Sequence, residues 1–214
     1  MIDEQNIRLT NEDIDQLPLD QFRGQIMLVD TPELVQQAAD EMMAETILGF
    51  DTETRPSFKR GVSYRTALLQ LSSKNKAWLV RINRIGLPQS IVKILENKNI
   101  VKVGVAIRDD IKGLQKWHPF VPNNFVELQN MALENGIEDF SLKKLAAHIM
   151  GIKISKRQRL SNWEAGALTM PQISYAATDA WVGLECYIGL QHGALMHPRL
   201  KEILKLKNNE NSNF

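Results

Sequence analysis

Asp51 and Glu53 are the first residues of this chain whose types and spacing suggest chemistry. They follow the apolar run Ile47-Leu48-Gly49-Phe50, which reads as a buried strand. Side chains two residues apart on an extended chain point to one face, about 7 Å apart along it. Acids so placed repel each other unless a cation sits between them, and oxygen ligands of that kind suit Mg²⁺ or Mn²⁺. Taken alone, the pair reads more readily as solvated acids at a strand's end. A second acidic position closes Val103-Gly104-Val105-Ala106-Ile107-Arg108-Asp109-Asp110, where a strand hands over to a helix. In isolation, acids in a first helical turn do no more than favour the helix dipole. Tyr175 and Asp179 share a third, helical segment, and their spacing stacks them on one helix face, about 6 Å apart in rise. Ala176 and Ala177 between them are small enough for this helix to approach another element closely. A core tyrosine beside a partly exposed acid would look the same.

Positioning these groups takes an ordered set of elements. Residues 1–24 read as an acidic N-terminal arm, 25–207 as one domain, and 208–214 as a polar, frayed C-terminal tail. Within the domain, strands are expected at Ile47–Asp51, Arg65–Leu71, Ala77–Val80, Ile100–Val105 and Phe125–Leu128. A helix is expected over Thr31–Thr46, with Thr31 as cap and Pro32 at its first position. Further helices are expected at Ser90–Leu95, at Ile107–Trp117, from a Ser141 cap to Met150 with Gly151 as stop, and from Met170 past Tyr187. Early strands followed by alternating strands and helices predict an α/β fold, a mixed sheet with helices on both faces.

Composition bounds the function. Hydrophobic residues make up 43% and charged residues 24% of the 214 positions, which excludes a disordered or fibrous chain. No apolar run reaches the roughly 18 residues of a membrane span. The start, Met-Ile-Asp-Glu-Gln, lacks the features of a signal peptide, so a cytoplasmic location is expected. A single cysteine, Cys186, rules out an internal disulfide and a cysteine-built zinc site. His118, His148, His192 and His197 show no ligand spacing. The net charge of +1 conceals an asymmetry, for residues 1–45 carry 11 acids and two bases. The remainder carries 24 bases and 14 acids, a surplus that attracts a polyanion, although a solvated lysine-rich surface is the plainer reading without the motifs. Lys143, Lys144, Lys153, Lys156, Arg157 and Arg159 lie in a stretch without any acid, and Arg55, Lys59, Arg60 and Arg65 follow Glu53. Such groups hold phosphates without reading sequence.

In order, spacing and flanking residues, these segments resemble the three motifs of the DEDD family of 3′–5′ exonucleases, in the subtype with tyrosine in its third motif. Phe50-Asp51-Thr52-Glu53 is similar to the first and Gly104 to Asp110 to the second. Tyr175-Ala176-Ala177-Thr178-Asp179-Ala180 is similar to the third, preceded by the companion sequence Ser161-Asn162-Trp163. Ala67-Leu68-Leu69-Gln70-Leu71 matches the strand after the first motif. Within the family, the resemblance is nearer to the exonuclease domain of the Werner syndrome helicase than to ribonuclease D. The histidine subtype would place its base at position 174, which is serine here.

The resemblance implies a ribonuclease-H-like fold in which Asp51, Glu53, Asp110 and Asp179 bind two divalent cations, Mg²⁺ or Mn²⁺. Asp110 rather than Asp109 is taken because its offset from Gly104 matches the motif. The implied reaction is hydrolysis of terminal phosphodiesters from a free 3′ end of nucleic acid, DNA favoured over RNA, with Tyr175 orienting the attacking water. Thr52, Asn162, Trp163 and Arg159 are expected to touch substrate, Trp163 by stacking on a base unless it is buried under the last helix. Helicase motifs are absent from this sequence, so unwinding would fall to a separate helicase or other repair protein. Two other readings stand beside this one. A nucleic-acid-binding module without catalysis is disfavoured by the presence of all four acids. A phosphate-ester hydrolase with Asp51 as nucleophile would want aspartate where Glu53 stands.

Overall fold

The computed structural model describes residues 8–138 and 141–211. In chain order, helix α1 (Asn11–Asp15) and strand β1 (Gln25–Val29) precede helix α2 (Pro32–Met43) and strands β2 (Ile47–Thr54), β3 (Thr66–Ser72) and β4 (Lys76–Val80). Helices α3 (Ile82–Ile85) and α4 (Gln89–Leu95) lead to β5 (Val101–Gly104), α5 (Ile107–Gln115), β6 (Phe125–Glu127) and α6 (Leu128–Glu134). The remaining helices are α7 (Leu142–Leu145), α8 (Met170–Gln191) and α9 (Pro198–Asn211). The strands form one six-stranded mixed sheet in the order β1-β4-β3-β2-β5-β6. β3 is antiparallel to β2 and β4, whereas β1, β5 and β6 pair in parallel with their neighbours. The α/β class expected from the sequence is the observed one.

Both faces of the sheet are covered. Every residue of β3 is buried, so Ala67-Leu68-Leu69 has no need to alternate with polar residues. On one face Leu48, Phe50, Leu69, Leu71 and Trp78 meet Met42 of α2, Ile91 of α4 and Leu114 of α5. The other face lies under α8, whose Ala176, Ala177 and Ala180 are fully buried. The approach is close because Gly49 has no side chain. A Cβ there would fall 1.9 Å from the carbonyl oxygen of Ala180.

Several boundaries differ from the sequence reading. Strand β1 is absent from that reading, because a five-residue strand at the sheet edge with only Val29 buried carries little pattern. Helix α2 stops at Met43, and Thr31 takes the N-cap place without a capping bond from its side chain. Ser141 does cap α7, accepting from the Lys144 N–H, but the helix widens into a π turn over Ala146–Met150. Gly151 ends that turn in the left-handed region, φ 62°. Helix α9 was not expected and runs through Asn211, into the segment read as a frayed tail; residues 212–214 lie outside the described residues. Its Leu200 packs with Leu9, Ile14 and Leu17 of the arm, so the described part of the arm is docked, as anticipated.

Candidate active site

β2 does not end before its acids; it continues through Thr54 and carries both within the sheet. Asp51 stands opposite Gln70 and Glu53 opposite Leu68 of β3. Alternation along β2 sends Asp51 and Glu53 to the face of Gly49, the face under α8. Asp179 of α8 arrives there, and carboxylate oxygens of Asp51, Glu53 and Asp179 all lie within 4.8 Å of one another. Thr52 points the other way, and its hydroxyl donates a short hydrogen bond to Asp110 Oδ1 of α5. Asp110 is not within that trio, but its charge and that of Asp179 act on both Asp51 and Glu53.

Burial and mutual repulsion dominate the electrostatics. Burial first, then Asp179 and Asp110, push Asp51 well above the usual carboxylate range. Burial, followed by Asp51, Asp179 and Asp110, raises Glu53 to about 10. Burial lifts Asp179 to about 7, against the pull of a hydrogen bond with Tyr175 and the charge of Lys156. Asp110 is also raised by burial, partly offset by Thr52. Neutral acids or ionised acids with cations are the two ways such a cluster can persist. The donor set is oxygen only, drawn from separate elements and gathered within one cation's reach, which fits Mg²⁺ or Mn²⁺. Tyr175, half-buried beside Asp179, Glu53 and Asp51, is held above its ordinary pKa by desolvation and by these charges, and stays a neutral phenol.

A cavity of about 190 Å³ opens on Asp51, Tyr175 and Asp179, with Lys143, Lys156 and Arg159 around it. Arg159 thus reaches the site, and its charge acts on Glu53. Lys143 is shared with the acidic arm, its ammonium lying 3.9 Å from Asp15 and donating to Asn11. Arg55 is fixed, stacked 4.7 Å over the Tyr64 ring and paired with Glu164 at 3.3 Å.

Trp163 is a correction. It is fully buried and packs on the Tyr175 ring, centroids 6.0 Å apart, so it supports the tyrosine from beneath and cannot stack on a base. Asn162 is exposed but lies in a neighbouring pocket with Arg55, Phe58 and Tyr64. Thr52 gives its hydroxyl proton to Asp110, and its amide to Asp51 at 2.8 Å. Asp109 points to solvent and pairs with Lys112 at 3.0 Å, away from the cluster. No histidine joins a carboxylate cluster among the described residues.

Glu127 was missed by sequence reasoning. Its carboxylate accepts from the Ala106 and Ile107 N–H groups, both at 2.9 Å, and so holds the start of α5 and the turn that aims Asp110. Ala106 sits there at φ 59°, a region non-glycine residues rarely occupy. The only sequence signal was an acid at the end of the last strand.

A family model described as 3′–5′ exonuclease matches residues 26–193. The bifunctional 3′–5′ exonuclease/ATP-dependent helicase WRN of Mus musculus is 36% identical over 183 residues, 81% of this chain and 13% of that protein. The putative 3′–5′ exonuclease R431 of Acanthamoeba polyphaga mimivirus is 32% identical over 168 residues, 70% of this chain and 41% of that protein. The chain therefore spans well under two thirds of the length of either relative. Among solved structures, the Aedes aegypti Nibbler EXO domain superposes with a TM-score of 0.73 at 20% identity, covering 86% of this chain and 99% of that one. Escherichia coli RNase D gives 0.69 at 18% identity, over 86% of this chain and 50% of that one. These likenesses establish the ribonuclease-H-like fold. The family match runs from within β1 to just past the end of α8, taking in every acid of the cluster, and the chain belongs to the 3′–5′ exonuclease family.

Proposed function

We propose that this chain hydrolyses terminal phosphodiester bonds from the 3′ end of nucleic acid, with two divalent cations held by Asp51, Glu53, Asp110 and Asp179. The observation that carries the reading is the carboxylate trio within 4.8 Å, two of whose members, Asp51 and Asp179, line a cavity edged by Lys143, Lys156 and Arg159. Cations bound there would lower the pKa of a water and neutralise charge on the departing oxygen.

The chain's own residues do the rest. Lys143, Lys156 and Arg159 hold the anionic backbone at the mouth of the cavity and set the terminal phosphate against the acids. Tyr175, neutral and hydrogen-bonded to Asp179, orients the attacking water instead of removing its proton. Trp163 locks the Tyr175 ring, and α8 fixes Tyr175 and Asp179 on one rigid face. Thr52 and Glu127 hold Asp110 in place.

DNA is the favoured substrate, on the Werner-type resemblance of the three motifs, and Mg²⁺ or Mn²⁺ is the cation that the oxygen-only cluster suits; the mouse relative's name also carries a helicase. A helicase acting on the same DNA is the partner this reading favours. The test is one gel with 5′-labelled single-stranded DNA, recessed duplex and RNA, each with Mg²⁺, Mn²⁺ or EDTA. Stepwise shortening from the 3′ end is expected with cation and not with EDTA, faster on DNA. Shortening in EDTA would refute the metal reading, and faster loss of RNA would refute the substrate preference.

A further inference from the structure

Gln70 is a polar residue that the fold has no structural reason to keep. It lies in the middle of the wholly buried β3, between Leu69 and Leu71, and is itself fully buried. Neither its amide nitrogen nor its amide oxygen has a hydrogen-bond partner. Leaving such a group unpaired is costly, and an apolar residue of the same shape would avoid the cost. Its position singles it out. Gln70 is the register partner of Asp51 across β2 and β3, and cross-strand partners share a face with Cβ atoms about 4.5–5.5 Å apart. On its other side Gln70 faces Leu79 of β4, which offers no polar group. Above this layer α8 presents Ala176 and Ala177, whose small side chains offer the amide no polar partner. The layer therefore holds an unspent donor beside carboxylates that, once ionised, only accept.

We propose that Gln70 is a positioning residue for Asp51. Its amide N–H donates to an Asp51 carboxylate oxygen, after a side-chain rotation or through one water, and thereby fixes the orientation of a carboxylate that would hold a cation. The inference rests on the functional reading above for its effect on catalysis. Its effect on cation binding can be measured without substrate.

The test is Gln70→Met, which keeps the volume and removes the amide. It should melt no lower than the parent, because an unpaired polar group has gone. Its kcat and the Mn²⁺ affinity of the substrate-free protein should each fall by about 10–100-fold, with KM changing less. Leu79→Ala is the control, a cavity in the same layer that removes no polar group. If Gln70→Met proves less stable, a Leu79→Ala variant with normal kcat per folded molecule still assigns the loss to the amide. Equal kcat losses in the two variants would overturn the proposal, as would Gln70→Met with kcat and Mn²⁺ affinity within about threefold of the parent. Should the parent protein degrade no nucleic acid, the functional reading fails, while a Mn²⁺ affinity lowered by Gln70→Met still supports the contact with Asp51.

Discussion

Tyr175→Phe deletes one oxygen and keeps the ring, so it separates chemistry from packing at the centre of the site. The ring rests on buried Trp163 at 6.0 Å between centroids, and phenylalanine preserves that contact. The hydroxyl alone touches the acids; it hydrogen-bonds Asp179 and faces Glu53 and Asp51. Burial and these three acids keep the phenol protonated, so its work is donation and not proton abstraction. Deleting a positioned donor of this kind costs about 2.7–4 kcal/mol of transition-state stabilisation, or 10²–10³ in rate. The effect on folding is smaller, since one hydrogen bond contributes about 0.5–1.5 kcal/mol net. At about 2–4 °C per kcal/mol for a chain of this size, Tm should fall by about 1–6 °C. Single-turnover cleavage of a 5′-labelled oligonucleotide in Mg²⁺, read beside a thermal melt, checks both numbers. A variant that melts much earlier yet cleaves at the parent rate would refute the reasoning, for Tyr175 would then serve the core alone.

Two further outcomes are expected. Asp110→Asn should eliminate cleavage while Asp109→Asn retains it, because Asp109 is 90% exposed and bonded to Lys112, whereas Asp110 is held by Thr52 beside Asp51; the reverse result would shift the second motif by one residue. Glu41 is held down to about 2 by Lys76 and by the Trp78 indole N–H, at 2.7 and 2.8 Å. Its folded pKa lies below the unfolded value, so its stabilisation is present above about pH 4.5 and is lost as pH falls through about 2. After allowance for solvent screening of a partly exposed pair, Glu41→Gln should cost about 1 kcal/mol at pH 7 by chemical denaturation, and equal stabilities of the two proteins at pH 7 would contradict this.

Sequence periodicity reaches as far as single elements do. The apolar run before Asp51, the Ser141 cap with its Gly151 stop, and the long helix from Met170 all express local rules, and the fold contains them. β1 and α9 escape those rules for a physical reason. Strand β1 lies at the sheet edge, only its Val29 is buried, and its pattern is faint. Helix α9 buries Leu200 against the arm, a partner nearly the whole chain away, and no window of sequence contains both.

The same limit divides the site. Pairs carried by one element, Asp51 with Glu53 and Tyr175 with Asp179, follow from strand and helix spacing, and the fold brings three of these acids within 4.8 Å. Trp163 went the other way. An aromatic in a basic stretch looks available to a nucleobase, and only the packing of Leu68 and Ala177 around it shows that its place is the core. The contacts that aim Asp110 are long-range on both sides. Thr52 reaches it from β2, and Glu127 from the end of β6 gathers two N–H groups at a turn where Ala106 takes a left-handed conformation. A strained turn persists only where its surroundings hold it, and here the holding group is a carboxylate that strand propensity would never select. Glu127 thus stabilises a backbone that Ala106 disfavours, and the reason lies in the next side chain it orients. The strain at 106, the acid at 127 and the hydroxyl at 52 are one device for placing Asp110 against Thr52, the residue next to Asp51.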